Sequence, residues 1–167
     1  MYHTCLMNDT SLYLFDYADA EFDGDSFNGD SLLKTLAGLT PEVAADTRTW
    51  EGYSAWSVAL HLAWYKYFIG RSLAGEAAVG AYPYEHDKHG FGKPAEVSAA
   101  AWVAVREYLV KIHRITATAI RSASPEKLAE TMPEWETPYG KAIAWYLGHD
   151  TCHIAQIRNM GVPGLKE

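Results

Sequence analysis

The sequence predicts an all-α protein, a four-helix bundle with a long crossover between its second and third long helices. Three observations carry this. Helix signals recur over four substantial segments, and strand signals do not. A connection of roughly twenty residues, long for a compact domain, lies between the second and third of these segments. The 167 residues are 49% hydrophobic and 21% charged, close to an ordinary globular chain and long enough to bury a real core. One bundle domain over residues 1–167 is expected.

Asp9 to Phe22 reads as a first helix whose aromatics form no single stripe. The run "DGDSFNGDS" ends it with glycines and capping residues, and Asp30 or Ser31 can cap a short helix through Leu36. "LTPE" at Leu39 to Glu42 is a further start signal, a Thr cap followed by proline. Ser54 to Ser72 is apolar nearly all round, with Lys66 its only charge before the end. Such a helix is buried on more than one side, by a central position or by a subunit contact. Leu73 to Pro94 is the Gly-, Pro- and aromatic-rich crossover, which allows the flanking helices to run parallel. Glu96 to Ala123 is amphipathic, with Trp102, Val105, Leu109, Ile112 and Ile120 on or near one stripe. "SPEKLAE" opens one more short helix, and the last runs from a Thr137 cap and Pro138 to Gly161.

The formal charge of -7, with no basic cluster, argues against nucleic acid or an anionic membrane as partner. Cys5 and Cys152 are the only cysteines and lie far apart, which predicts a reducing compartment rather than a disulfide framework. Met1 to Leu6 lacks a basic region and an apolar one, so no signal peptide is expected. The most apolar stretch, Tyr53 to Ile69, is interrupted and too short to span a bilayer. A soluble cytoplasmic protein is the expectation.

"GHDTCHIAQ" places His149 and His153 four residues apart on the last helix. At about 100° per residue, His153 falls about 40° from His149, with Gln156 and Tyr146 close by on the same face. Ala142, Trp145 and Met160 share that inward face, while Asp150 stands to one side. Two imidazoles at this spacing can share a metal ion, or can simply be core histidines hydrogen-bonded to their neighbours. A third donor would separate these readings. His61, midway along the apolar helix beside Trp64 and Tyr65, offers one, and a divalent cation would keep three buried imidazoles neutral.

Three segments together resemble the DinB/YfiT-like superfamily of four-helix-bundle metalloproteins: "DSLLKTLAGLTPE", "SAWSVALHLAWYKYFIG" around His61, and "TPYGKAIAWYLGHDTCHIAQI" around His149 and His153. The resemblance begins near Asp30, and its strongest element is His-x3-His-x2-Gln late in the chain with a single His on the second helix. It implies one divalent metal, nickel or zinc, on His61, His149 and His153, with Gln156 supporting the ligands. It further implies a homodimer. Because characterised members include thiol-dependent transferases, it implies a transferase joining a low-molecular-weight thiol to an electrophilic substrate. The alternative is a non-catalytic bundle of stress response that binds a metal or small molecule.

Other candidates are weaker. "HDTCH" is similar to the zincin signature with Asp150 for its glutamate, which would make a metal-dependent hydrolase, but no downstream ligand follows His153, and Asp150 can instead orient a histidine from behind or face solvent. Cys152 is either a thiol near the metal or, more simply, a small side chain buried against a neighbouring helix. His86 and His89 sit in the crossover, read as a lid or surface loop from which Tyr82, Tyr84 and Phe91 wall a pocket. Trp64, Tyr65 and Tyr146 are the aromatics within a turn of a candidate ligand. His3 and His113 read as surface residues.

Overall fold

The computed structural model describes residues 9–165. Its elements are α1 (Asp9–Asp23), α2 (Leu32–Ala37), α3 (Pro41–Ala45), α4 (Ala55–Ala74), α5 (Glu76–Val79), α6 (Ala99–Arg121), α7 (Pro125–Ala129), the two-residue strands β1 (Thr131–Met132) and β2 (Thr137–Pro138), and α8 (Tyr139–Asn159). The architecture is all-α around the four long helices α1, α4, α6 and α8, with one antiparallel pair of short strands.

Side-chain caps set the helix starts. The hydroxyls of Thr40, Ser54, Ser98 and Ser124 accept hydrogen bonds from the amides of Val43, Ser57, Ala101 and Lys127, satisfying groups that the first helical turn leaves open. α6 therefore starts after Ser98 rather than at Glu96. Thr137 departs from its expected role as a cap. It is buried in β2 opposite Met132, and α8 begins at Tyr139, whose amide donates to the Glu130 carbonyl. The hairpin between α7 and α8 thus takes over the start of the last helix and carries Trp135 at its tip.

Cross-helix contacts give the directions. α4 and α6 run parallel, since Trp56 stacks near Trp102 and the Lys66 carbonyl accepts from Thr116. α8 is antiparallel to α4: the Tyr139 hydroxyl reaches the Ser72 carbonyl at one end and His61 meets His149 nearer the other. α1 is antiparallel to α6, pairing Asp23 with Arg114 and Asp19 with Arg121. The crossover between α4 and α6 is what permits the parallel pair, and it contains α5. At the crossing near Gly70 a Cβ would overlap Thr116 Oγ1, so glycine there lets the two backbones approach.

α4 is the central helix. Trp56, Val58, Ala59, Leu60, Leu62, Ala63 and Ile69 are all buried within this chain, so its all-round apolarity is covered by its own neighbours and does not require a second copy. Its one interior charge has a partner. Lys66, 1% exposed, donates to Asp150 of α8 at 2.6 Å and lies 4.7 Å from the centre of the Tyr146 ring. Burial pushes the Lys66 ammonium below the ordinary lysine pKa, and Asp150 opposes that shift.

His113 is not on the surface, as its lack of ligand spacing suggested. It is 1% exposed, stacked on Phe22 at 3.6 Å, and its Nε2 stands 2.9 Å from Asp19. This hydrogen bond holds the Asp19 carboxyl well below the usual carboxylate range. Burial, with Lys66 nearby, lowers the His113 pKa. A neutral ring therefore donates to a carboxylate at neutral pH, tying α6 to α1.

The buried pair yields a stability test. Asp150→Ala leaves an uncompensated ammonium inside the bundle and is expected to destabilise by about 3–5 kcal/mol. Replacing both partners, Lys66→Met with Asp150→Leu, is expected to recover most of that loss. Urea unfolding of the wild type and the two variants checks both expectations.

Candidate metal centre

Three imidazoles meet between α4 and α8. His61 comes from the middle of α4, and His149 and His153 lie one turn apart on α8. Their Nε2 atoms converge: His61 to His149 is 3.3 Å and His149 to His153 is 3.0 Å, with the three possible ligand atoms all within 4.8 Å of one another. Among the described residues this is the one group of histidine, cysteine or acidic side chains close enough to hold an ion.

The outer nitrogens explain why the rings face inward. His61 Nδ1 lies 2.8 Å from the His89 carbonyl oxygen. A carbonyl only accepts, so Nδ1 carries the proton and Nε2 is left as a lone pair. His153 Nδ1 lies 2.5 Å from Gln156 Oε1, and Gln156 Nε2 donates to the Glu51 carboxylate. Because Glu51 can only accept, it fixes which end of the amide faces His153, and that ring also turns a lone pair inward. Such partners on the non-ligating nitrogen are the usual way that a metal-ligating histidine is oriented.

Lone pairs facing one another at this separation repel unless something positive lies between them. A proton on His149 Nε2 can bridge to only one neighbour, whereas a divalent cation takes all three. Nitrogen donors about 2.0–2.1 Å from a tetrahedral ion stand about 3.3 Å apart, which the spacings above approach. Burial and mutual repulsion also favour the neutral, ligating form: the His61 pKa falls to about 4, that of His149 to about 2, and that of His153 falls as well, in each case chiefly through burial. The residues present fit a metal ion.

The crossover supplies more than a covering. Asp87 accepts from the amides of His89 and Phe91, shaping the turn that offers the His89 carbonyl to His61. Phe91 stacks on His61 at 4.1 Å, and Tyr53 stacks on Phe91 at 4.3 Å. Gly90, at φ +80°, lies where a Cβ would overlap Trp64, so this turn sits flat on α4. His86 stacks on Trp64 at 3.7 Å and His89 contributes its backbone, so neither side chain joins a second cluster.

Beside the histidines an apolar cavity of about 420 Å³ is lined by Tyr65, Ile69, Trp135, Trp145, Tyr146 and His149. The structure therefore brings Tyr65 and Tyr146 to the site. It separates others from it. Trp64 faces the crossover, packed on His86 and Tyr82. Tyr82 and Tyr84 pack on Tyr108 of α6 rather than walling the cavity. Cys152 is exposed, so it neither packs against another helix nor joins the ligand cluster. Trp145, expected to face inward, is 54% exposed at the cavity rim. Asp150 is buried against Lys66 and faces neither solvent nor the cavity. His3 and Cys5 lie outside the described residues.

Glu51 and Trp135 are not marked by the sequence, and Lys66 stands out there only as the charge in an apolar helix, with no partner assigned to it. Only Lys66 carried a signal, because a lysine inside an apolar helix requires a buried counter-charge.

The lowered histidine pKa values set a pH dependence for the metal-free protein. Above pH 6.5 these rings are neutral folded and unfolded, and stability is complete. As pH falls below 6.5 the unfolded chain takes up protons that the folded state resists, so stability declines, for His61 down to about pH 4 and for His149 further. Urea midpoints at pH 8, 6.5 and 5 are expected to fall over the lower interval, and His149→Ala is expected to flatten that fall.

A family model described as the DinB superfamily matches residues 26–157, a span that includes all three convergent histidines. No curated protein and no solved structure gives a match. With an all-α fold and a histidine triad joining two of its long helices, this chain belongs to the DinB superfamily.

Proposed function

We propose that the chain is a metal-dependent transferase that joins a low-molecular-weight thiol to an electrophile, using one nickel or zinc ion on His61, His149 and His153. The observation that carries this reading is the convergence of three nitrogen donors, two of them oriented by partners on their outer nitrogens, beside an apolar cavity. Three protein donors leave coordination positions open, as a catalytic site requires and a closed structural site does not. An ion held there supplies a Lewis acid that lowers the pKa of a bound thiol.

The chain's own residues have definable tasks in this reaction. The His89 carbonyl and the Glu51–Gln156 pair hold two ligand rings in their metal-facing tautomer. Phe91 covers His61 and excludes water from that side. Tyr65, 4.8 Å from His61 and 5.0 Å from His149 between ring centres, stands between the ligands and the cavity, where it can orient substrate.

The hydrolase reading needs Asp150 as general base, and its carboxylate is committed to Lys66 instead. The second reading is a non-catalytic bundle of stress response that binds metal or a small molecule; Cys152 neither joins the ligand cluster nor lines the cavity, which leaves the site without a thiol of its own. A cytoplasmic homodimer belongs to the first reading by family resemblance. Among the described residues no helix is long and apolar enough to cross a membrane.

Elemental analysis of protein prepared without a nickel column is expected to find about one divalent ion per chain, lost in His61→Ala and His149→Ala while helical content persists. Conjugation of a cellular thiol to a generic electrophile is expected to stop on chelation and return with added metal. Stoichiometric metal without chelator-sensitive turnover for any of several thiols would favour the binding protein.

A further inference from the structure

The cavity beside the histidines has a composition that its proximity to a metal does not explain. Four of its six lining side chains are aromatic, from three separate elements: Tyr65 on α4, Trp135 at the hairpin tip, and Trp145 and Tyr146 on α8. The rings form a chain leading away from the ligands. Tyr65 lies 5.0 Å from His149, Trp135 6.0 Å from Tyr65, and Trp145 6.2 Å from Trp135, between ring centres. Ile69 is the aliphatic part of the wall, and His149 belongs both to the cavity and to the triad.

A cage of aromatic rings suits either a flat apolar group or a cation held over the ring faces. The charges nearby decide between them. The Lys66 ammonium already lies 4.7 Å from the Tyr146 ring centre, and that of Lys141 lies 5.3 Å from Trp145. Two of the four rings are thus engaged by the chain's own cations. No carboxylate lines the cavity: Asp150 is paired with Lys66, while Glu134 and Glu136, either side of Trp135, are exposed. A cationic guest would find no carboxylate in the lining and two of the rings already engaged by ammonium groups, whereas a neutral ring meets apolar and π surface.

We propose that this cavity is the subsite for an uncharged aromatic portion of the substrate, whose donor atom reaches the three-histidine site from the His149 end. The proposal rests on the metal-site reading, and it names the substrate class as an aromatic molecule with a metal-ligating group. About 420 Å³ accommodates one or two rings with a short linker. Trp145, half-exposed at the rim, and the hairpin bearing Trp135 close over it from two sides.

Three thiols with the same short linker separate the possibilities: 2-phenylethanethiol, 2-mercaptoethanol and the cationic thiocholine. Titrated calorimetrically into the zinc-loaded protein, 2-phenylethanethiol is expected to bind at least about tenfold more tightly than either of the others. That advantage is expected to disappear in Trp135→Ala and in Trp145→Ala with zinc content unchanged. Because the Trp145 side chain is half-exposed, its variant keeps the test decisive even where Trp135→Ala fails to fold. Equal affinity for the three thiols, or preference for thiocholine, overturns the proposal. Benzyl alcohol, added to metal-free protein and followed by tryptophan fluorescence, separates this outcome from failure of the metal reading. Saturable binding that is lost in Trp145→Ala supports the aromatic subsite even without zinc uptake; no binding overturns the subsite even where the triad holds zinc.

Discussion

The ion pair between Lys66 and Asp150 sets how α8 lies against α4. An ammonium that is 1% exposed has no access to water, so a carboxylate must meet it at hydrogen-bonding distance. Only one register of the two helices places Asp150 there. His149 precedes Asp150 by one residue and His153 follows by three, so that register also carries both rings along the α4 surface to His61. A slip of one helical turn would move the α8 histidines about 5.4 Å along α4 and separate them from His61. The buried charge thus acts as a registration device for the neighbouring site, a use for which buried polar groups are best attested.

Around that register the ligand rings are held from outside. The crossover turn gives a backbone carbonyl to His61, and the segment before α4 gives Glu51, through Gln156, to His153. These supports come from chain regions that are far from α8 in sequence and that contribute no ligand. They account for the detailed shape of the crossover, in which Asp87 gathers two amides and Gly90 lies flat on Trp64. The lone pairs of His61 and His153 are held facing His149 at the cost of repulsion, and a bound cation turns that cost into affinity.

The long helices were legible because their signals are local. Apolar periodicity marks α6, uninterrupted apolarity marks α4, and Ser-Pro and Thr-Pro starts mark α7 and α3. Thr137 misled because Thr-Pro reads equally well as a helix start and as the end of a short strand, and only pairing with Met132 decides. His113 misled for a related reason. Its motif neighbourhood is silent, and the groups that satisfy it, Asp19 and Phe22, come from α1, some ninety residues away. Cys152 and Trp145 show the limits of a helical wheel. Residues near the edge of an inward face are buried or exposed according to what packs there, and here one faces solvent and the other a cavity rim.

What the sequence determined by itself was the helical class, the approximate helix limits, and the identity of three histidines on two helices, because period, caps and i, i+4 spacing are properties of a single segment. What only the tertiary structure decided was which atoms meet. The inward turn of each Nε2, the pairing of Lys66 with Asp150, the placing of Trp135 over the cavity and the withdrawal of Trp64 and Cys152 all depend on contacts between segments distant in the chain. Such contacts arise from packing and from the need to satisfy buried polar groups, and neither leaves a mark on the residues beside it in sequence.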